Sequence, residues 1–171
     1  AVPVDRLADY LAGTRKVLEA HGLEWSAYAH AGHGEPHVRP MMDLRRKEYL
    51  DLMEPLAGEM HAAAWECEGT ISGEHGEGLA RAQFIAQQAG GELYDVFKEV
   101  KALFDPSGLL NPDKKITSDP HLMTKNLRFG LDYRFGAGDP NWPRTSLNWP
   151  EDAFAREAER CNGCAQCRST G

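Results

Sequence analysis

Residues 23–42 read LEWSAYAHAGHGEPHVRPMM, and the alternation in this stretch decides the fold. Over a strand predicted from Leu23 to Ala31, Trp25, Ala27 and Ala29 fall on one face. Ser26, Tyr28 and His30 fall on the other. The turn-rich AGHGEP then leads into a second strand from His37 to about Met42, with His37 and Arg39 on a shared face. The pair reads as a hairpin with a six-residue loop. One face of it is apolar and needs a cover.

The flanking sequence supplies that cover. Leu7, Tyr10, Leu11, Val17 and Leu18 keep the 3.6-residue period of a helix spanning 5–21, with Asp5 as N-cap and Gly22 just past the end. Tyr49, Leu52, Met53, Leu56, Met60, Ala64 and Cys67 predict a second helix over 44–67, which Pro55 kinks or splits. Leu93, Val96, Phe97, Val100, Leu103 and Phe104 predict a third over 92–104. Weaker helices are read at 79–89 and 151–160. These assignments give an α+β fold: a small antiparallel sheet covered on one face by the helices at 5–21, 44–67 and 92–104. His30 and His37 then look outward, toward a domain not contained here. The Gly- and Pro-rich stretch 135–150 reads as a linker or extended arm, in which Trp142 and Trp149 are docking groups. The predicted organisation is 1–117, 118–150 as linker, and 151–171.

Composition excludes several classes. In 171 residues, 19 Lys and Arg stand against 26 Asp and Glu, a net charge of −7, which argues against a nucleic-acid surface. No run of 18 apolar residues marks a membrane span. The opening AVPVDRLADY lacks the pattern of a secretory signal. The cysteines suit ligation better than disulfides, so the expected compartment is reducing and cytoplasmic.

Three motifs carry chemistry. The first is His30-Ala-Gly-His33-Gly-Glu35-Pro-His37. As cross-strand partners on one face, His30 and His37 would bring two imidazoles to a single transition metal; a solvated, His-containing hairpin is the bland alternative. The second is Ser72-Gly-Glu74-His75-Gly-Glu-Gly78, following a short β-type run, Thr70 to Ser72. The flanking glycines let the backbone turn sharply, so Glu74 can reach a metal while His75 serves as general base. A flexible charged loop is the alternative. The third is Cys161-Asn-Gly-Cys164-Ala-Gln-Cys167, the opening of an iron–sulfur run lacking its fourth Cys; a zinc knuckle or a plain reactive tail also fits. Cys67 reads as core, His61 as helix surface, and His21 as a group near a helix C-terminus.

The hairpin H-x-G-x-G-x-x-H, the later GTISGEHGEG and the closing FDPSGLLNPDKKI resemble, in that order, the C-terminal portion of FAD-linked oxidases of the D-lactate and D-2-hydroxyglutarate dehydrogenase type. The resemblance covers roughly residues 1–117. It implies His30, His37 and Glu74 as ligands of zinc or manganese, His75 as the catalytic base, and Asn111 near the flavin. His33 stands where many relatives carry Asp. The tail resembles the junction with a ferredoxin-like 4Fe-4S module, which implies iron–sulfur roles for Cys161, Cys164 and Cys167. FAD itself would be held mainly by an N-terminal domain not present in this sequence.

The implied activity is oxidation of a D-2-hydroxy acid to a 2-oxo acid. The substrate chelates the metal, His75 takes the hydroxyl proton, the hydride passes to FAD, and the electrons leave through the iron–sulfur module. The partners implied are the FAD-binding domain, the iron–sulfur module and a small 2-hydroxy acid. A membrane association would come only through the electron acceptor. On this reading the chain alone is an inactive piece of a larger enzyme. The alternatives are a free-standing metal-dependent hydrolase and a non-catalytic metal- or partner-binding module.

Overall fold

The computed structural model describes residues 1–133, 146–149, 153–161 and 166. The chain divides into two compact units, 1–131 and 132–171. In the first, helix α1 (Leu7–Ala20) precedes strands β1 (Trp25–His30) and β2 (Glu35–Pro40). Helix α2 (Lys47–Glu66), the short α3 (Ile85–Ala89), α4 (Gly91–Phe104) and α5 (Leu122–Lys125) follow. The second unit contributes α6 (Ala153–Glu159), with Trp149 set edge-on against Phe154 at 5.7 Å.

The expected α+β class stands: β1 and β2 form a two-stranded antiparallel sheet. Its register pairs Trp25 with Pro40, Tyr28 with His37 and His30 with Glu35. His37 is therefore opposite Tyr28 rather than His30, and the two histidines are diagonal neighbours. The connection is also tighter than expected, because a 3-10 turn at Ala31–His33 and a left-handed Gly34 (φ 66°) complete it before Glu35. Trp25 and Val38 on the apolar face pack with Leu18, Leu23 and Leu56 beneath α1 and α2.

Helix α1 ends as its sequence dictates. Gly22 takes φ 63°, its N–H donates to Glu19 O at 3.0 Å, and Leu23 N–H donates to Leu18 O at 3.0 Å. This is a Schellman motif, and its usual hydrophobic contact is present, since Leu18 and Leu23 share one cluster. Asp5 is not the cap. It lies in a 3-10 turn, Val4–Arg6, closed by Arg6 N–H donating to Pro3 O at 2.9 Å. Helix α2 starts at Lys47 because Asp43 organises a preceding turn, accepting from the Arg45 N–H on its side chain and from the Arg46 N–H on its carbonyl. Pro55 does not split α2. It is exposed, so the Asp51 carbonyl that lacks a donor faces solvent on the same side.

Helix α4 departs from expectation in its packing. Only Tyr94 is buried and Phe97 packed, both against α3 and its neighbours. Leu93, Val96, Val100, Leu103 and Phe104 remain exposed. The compact unit also continues past residue 117. Thr117 N–H donates to Tyr94 Oη, Met123 N–H to Gln83 Oε1, and Thr124 Oγ1 to Glu54 Oε1, so residues 118–131 pack on α2 and the Ala82–Phe84 turn.

His61 is not a surface residue. Its ring meets Phe84 edge-on at 4.5 Å and its Nδ1 is buried without a hydrogen bond. Burial, helped by nearby Arg81, lowers its pKa from 6.5 to about 4. The unfolded chain then binds a proton that the folded chain refuses. The associated stability, on the order of 3 kcal/mol, is fully present above pH 6.5 and is lost as pH falls toward 4. We expect His61→Leu to flatten the acid side of the stability–pH curve in urea titrations between pH 7 and 4.5. A curve parallel to that of the unsubstituted chain would contradict this.

A second expectation concerns Gly34. A Cβ there would lie 1.9 Å from Val2 O, on a backbone with φ 66°. Left-handed strain and this overlap together should cost Gly34→Ala at least about 2 kcal/mol, read as a lower denaturant midpoint at unchanged slope.

Candidate metal centre

The open face of the hairpin carries, in facing pairs, Ser26 and Arg39, Tyr28 and His37, and His30 and Glu35. Facing it is the loop 69–78. No third strand forms at Thr70–Ser72. Instead, Thr70 and Ala1 exchange two hydrogen bonds, Thr70 N–H to Ala1 O at 2.7 Å and the Ala1 ammonium to Thr70 O at 3.0 Å. Ile71 N–H donates to Gln88 Oε1 at 2.8 Å. Gly69 is packed so closely that a Cβ would stand 2.4 Å from Ala1 O. Gly76 and Gly78, at φ 67° and 54°, turn the chain back on itself. The result aims Glu74 at the hairpin.

Glu74 Oε1 is 3.0 Å from His37 Nε2, 3.4 Å from His30 Nε2 and 3.4 Å from His75 Nε2. One nitrogen each from His30 and His37 and one oxygen of Glu74 lie within 4.8 Å of one another. His37 Nε2 is buried and makes no aligned hydrogen bond, although Glu74 Oε1 is at hydrogen-bonding distance. Close approach without alignment suits ligands pointing at a common third point. Two imidazoles and a carboxylate are also the donor set of open tetrahedral zinc sites, so the residues present fit a divalent transition metal.

Tyr28 sets the plane of His37. The two rings stack with centroids 4.5 Å apart and 15° between planes. Arg39 in turn donates to Tyr28 Oη at 2.9 Å. His30 and His75 stand edge-on to His37, at 5.3 and 5.4 Å. Tyr28, His37, Arg39, Glu74 and His75 border a cavity of about 500 Å³, which continues past Glu35 and Ser72 to Tyr10, His61 and Arg81. Arg81 is held by donating to Gly76 O at 3.1 Å.

Other candidates lie apart. His33 is exposed in the turn. Asn111 is exposed at φ 44° and borders a separate groove with Gly76, Gly78, Lys101 and Lys114, accepting from Lys114 on Oδ1. That groove is tied to the Glu74 loop by the ion pair of Lys115 with Glu77, whose carboxyl it holds below the ordinary carboxylate range. Cys67 is buried in the core, as expected, and Cys161 is exposed. Cys164, Cys167 and Trp142 fall outside the described residues, as does most of the stretch 135–150.

Three contributors were not picked out from sequence: Tyr28 as a stacking partner, Glu35, and Arg81. Glu35 is predicted as part of the turn before His37, whereas β2 starts at Glu35 and sets it on the His37 face. Nothing local in the sequence marks Arg81.

The chain belongs to the family described as FAD linked oxidases, C-terminal domain, which it matches over residues 1–115. Among its relatives, it is 37% identical over 117 residues to D-2-hydroxyglutarate dehydrogenase of Pseudomonas putida, covering 68% of this chain and 11% of that protein. It is 31% identical over 121 residues to the mitochondrial D-lactate dehydrogenase (cytochrome) of Kluyveromyces lactis, covering 71% and 20%. To glycolate oxidase subunit GlcD of Bacillus subtilis it is 31% identical over 118 residues, covering 69% and 25%. The chain thus spans between about a tenth and a quarter of the length of these relatives. Among the described residues no helix is long and apolar enough to cross a membrane.

Proposed function

We propose that this chain is the metal- and base-bearing part of a flavin-dependent dehydrogenase that oxidises a D-2-hydroxy acid to a 2-oxo acid. The observation that carries the reading is the meeting of His30, His37 and His75 on the Glu74 carboxylate. Membership of the FAD-linked oxidases and the names of its relatives support it.

His30 Nε2, His37 Nε2 and a Glu74 oxygen are the ligands. A divalent zinc or manganese ion held there would polarise the substrate's 2-hydroxyl and carboxylate. His75, beside the ligands, is placed to take the hydroxyl proton at Nε2. Tyr28 keeps the His37 ring fixed, and the packed loop 69–74 keeps Glu74 in reach. Hydride acceptance belongs to FAD, bound mainly by a domain outside this chain. We further propose that Asn111 approaches the flavin, and that Cys161, Cys164 and Cys167 begin a 4Fe-4S module that passes electrons onward. On this reading the chain is cytoplasmic, and without its flavin domain it is inactive.

Two experiments test the reading. Zinc titration of this chain by calorimetry should show one site, with His37→Ala and Glu74→Gln each weakening it at least tenfold. Equal affinity in all three proteins would remove the metal assignment. In the flavin-loaded full-length protein, His75→Ala should lower the rate of flavin reduction by about 10²–10⁴-fold while the flavin spectrum persists. Unchanged reduction would remove the base.

A further inference from the structure

The arm that carries His75 has little of its own to hold it. Gly76 and Gly78 stand on either side of Glu77 at φ 67° and 54°, and a Cβ at either would meet nothing within 4 Å. Glycine serves there for its backbone freedom, not for close packing. The His75 side chain is 69% exposed. Among the described residues its polar and ring contacts are with Glu74 Oε1, at 3.4 Å, and with the edge of the His37 ring, at 5.4 Å. Its own packing therefore fixes the ring weakly.

The arm is staked from outside. Upstream, hydrogen bonds pin Thr70 and Ile71. Downstream, Arg81 closes the turn locally: its backbone N–H donates to Glu77 O at 3.0 Å and its Nη1 to Gly76 O at 3.1 Å. The long-range stake is Lys115, whose ammonium pairs with Glu77 Oε2 across 38 residues of sequence. Glu77 is the inward member of the pair, with 15% of its side chain exposed against 65% for Lys115.

Lys115 itself projects from a firm base. The backbone takes left-handed φ values at Asn111 (44°), Asp113 (61°) and Lys115 (68°), three non-glycine residues at alternate positions. Such conformations cost free energy and persist only where the surroundings impose them. Before them, Asp105 accepts from the Leu109 N–H at 2.9 Å and the Leu110 N–H at 2.8 Å. After them, Ile116 packs on the cluster of Ile71, Phe84, Ile85 and Tyr94, and Thr117 N–H donates to Tyr94 Oη at 3.1 Å. A strained segment anchored at both ends thus delivers one cation to a carboxylate two residues from His75. An ion pair with an exposed member adds little stability; its effect here is on geometry.

Resting on the reading of His75 as the base, we propose that Lys115 is a positioning residue for proton abstraction. By holding Glu77 it fixes the glycine-flanked arm on which His75 stands, and it does so without touching substrate, metal or base. The pair acts on the reaction through the distance between His75 Nε2 and the hydroxyl it deprotonates, a distance on which rates depend steeply.

The test uses the flavin-loaded full-length protein and whichever of D-lactate and D-2-hydroxyglutarate reduces it faster. Lys115→Met should lower the limiting rate of flavin reduction by about tenfold, with the substrate Kd from the concentration dependence and the zinc affinity both unchanged. Lys115→Arg should keep most of the rate. The exchanged pair, Glu77→Lys with Lys115→Glu, should recover rate that Glu77→Lys alone loses. In a His75→Ala background, Lys115→Met should cost nothing further, since there is no base left to position. A full rate in Lys115→Met overturns the proposal, as does a loss confined to Kd, an exchanged pair that recovers nothing, or a further loss in the His75→Ala background. If neither acid reduces the unsubstituted flavin, or if His75→Ala keeps the full rate, the reading of the site falls and this proposal with it.

Discussion

The arrangement depends on two residues of main chain. Ala1 and Val2 lie between the hairpin turn and the loop that carries Glu74: Val2 N–H donates to Gly34 O at 2.9 Å, and Ala1 exchanges hydrogen bonds with Thr70. Glycine is present at both points of approach, since a Cβ at position 34 or 69 would strike the Val2 or Ala1 carbonyl. Val2 itself is buried with Ala64 and Cys67, which anchors the segment to α2. The hairpin and the Glu74 loop are far apart in sequence and share no ladder. Without this bridge, little would fix the distance between a carboxylate on a glycine-rich loop and two imidazoles on a sheet.

Electrostatics explains why so polar a cluster is tolerated. Glu74 and His30 are about half exposed and only the His37 side chain is well covered, so the site sits at the mouth of the cavity rather than in the core. The desolvation cost is concentrated on His37, and that ring is held by stacking on Tyr28 rather than by a hydrogen bond. A ring fixed by packing keeps its nitrogen free for a ligand. The half-buried His61 lies along the same cavity under the opposite condition: its ring is desolvated, which disfavours the charged form.

Much of this was legible in the sequence. Period-two alternation revealed both strands and the two faces, and 3.6-residue spacing revealed α1, α2 and α4. Gly22 marked the end of α1 to the residue. The convergence of His30, His37, Glu74 and His75 was legible because metal and base chemistry needs few residue types, here set among glycines. Register was not legible. Alternation fixes the face but not the partner, and the tight four-residue connection set His37 opposite Tyr28. The packing of α4 was hidden for another reason: an apolar stripe states that a helix has a face to cover, not what covers it within a given stretch of chain. His61 looked like surface because its burial comes from Phe84, which is distant in sequence.

The uncovered stripe of α4 has a colloidal consequence. Leu103 and Phe104 are 75% and 78% exposed, and Leu109 and Leu110 follow at 79% and 62%, so the end of this helix and the turn after it hold out four large apolar side chains. The chain bearing them carries a net charge of −7. In dilute buffer that charge keeps molecules apart over tens of ångströms, whereas at physiological ionic strength its reach shrinks to about 8 Å. These side chains on neighbouring molecules can then meet. For this stretch of polypeptide, shelf life in solution is governed by salt: the concentration at which it stays dispersed falls as ionic strength rises.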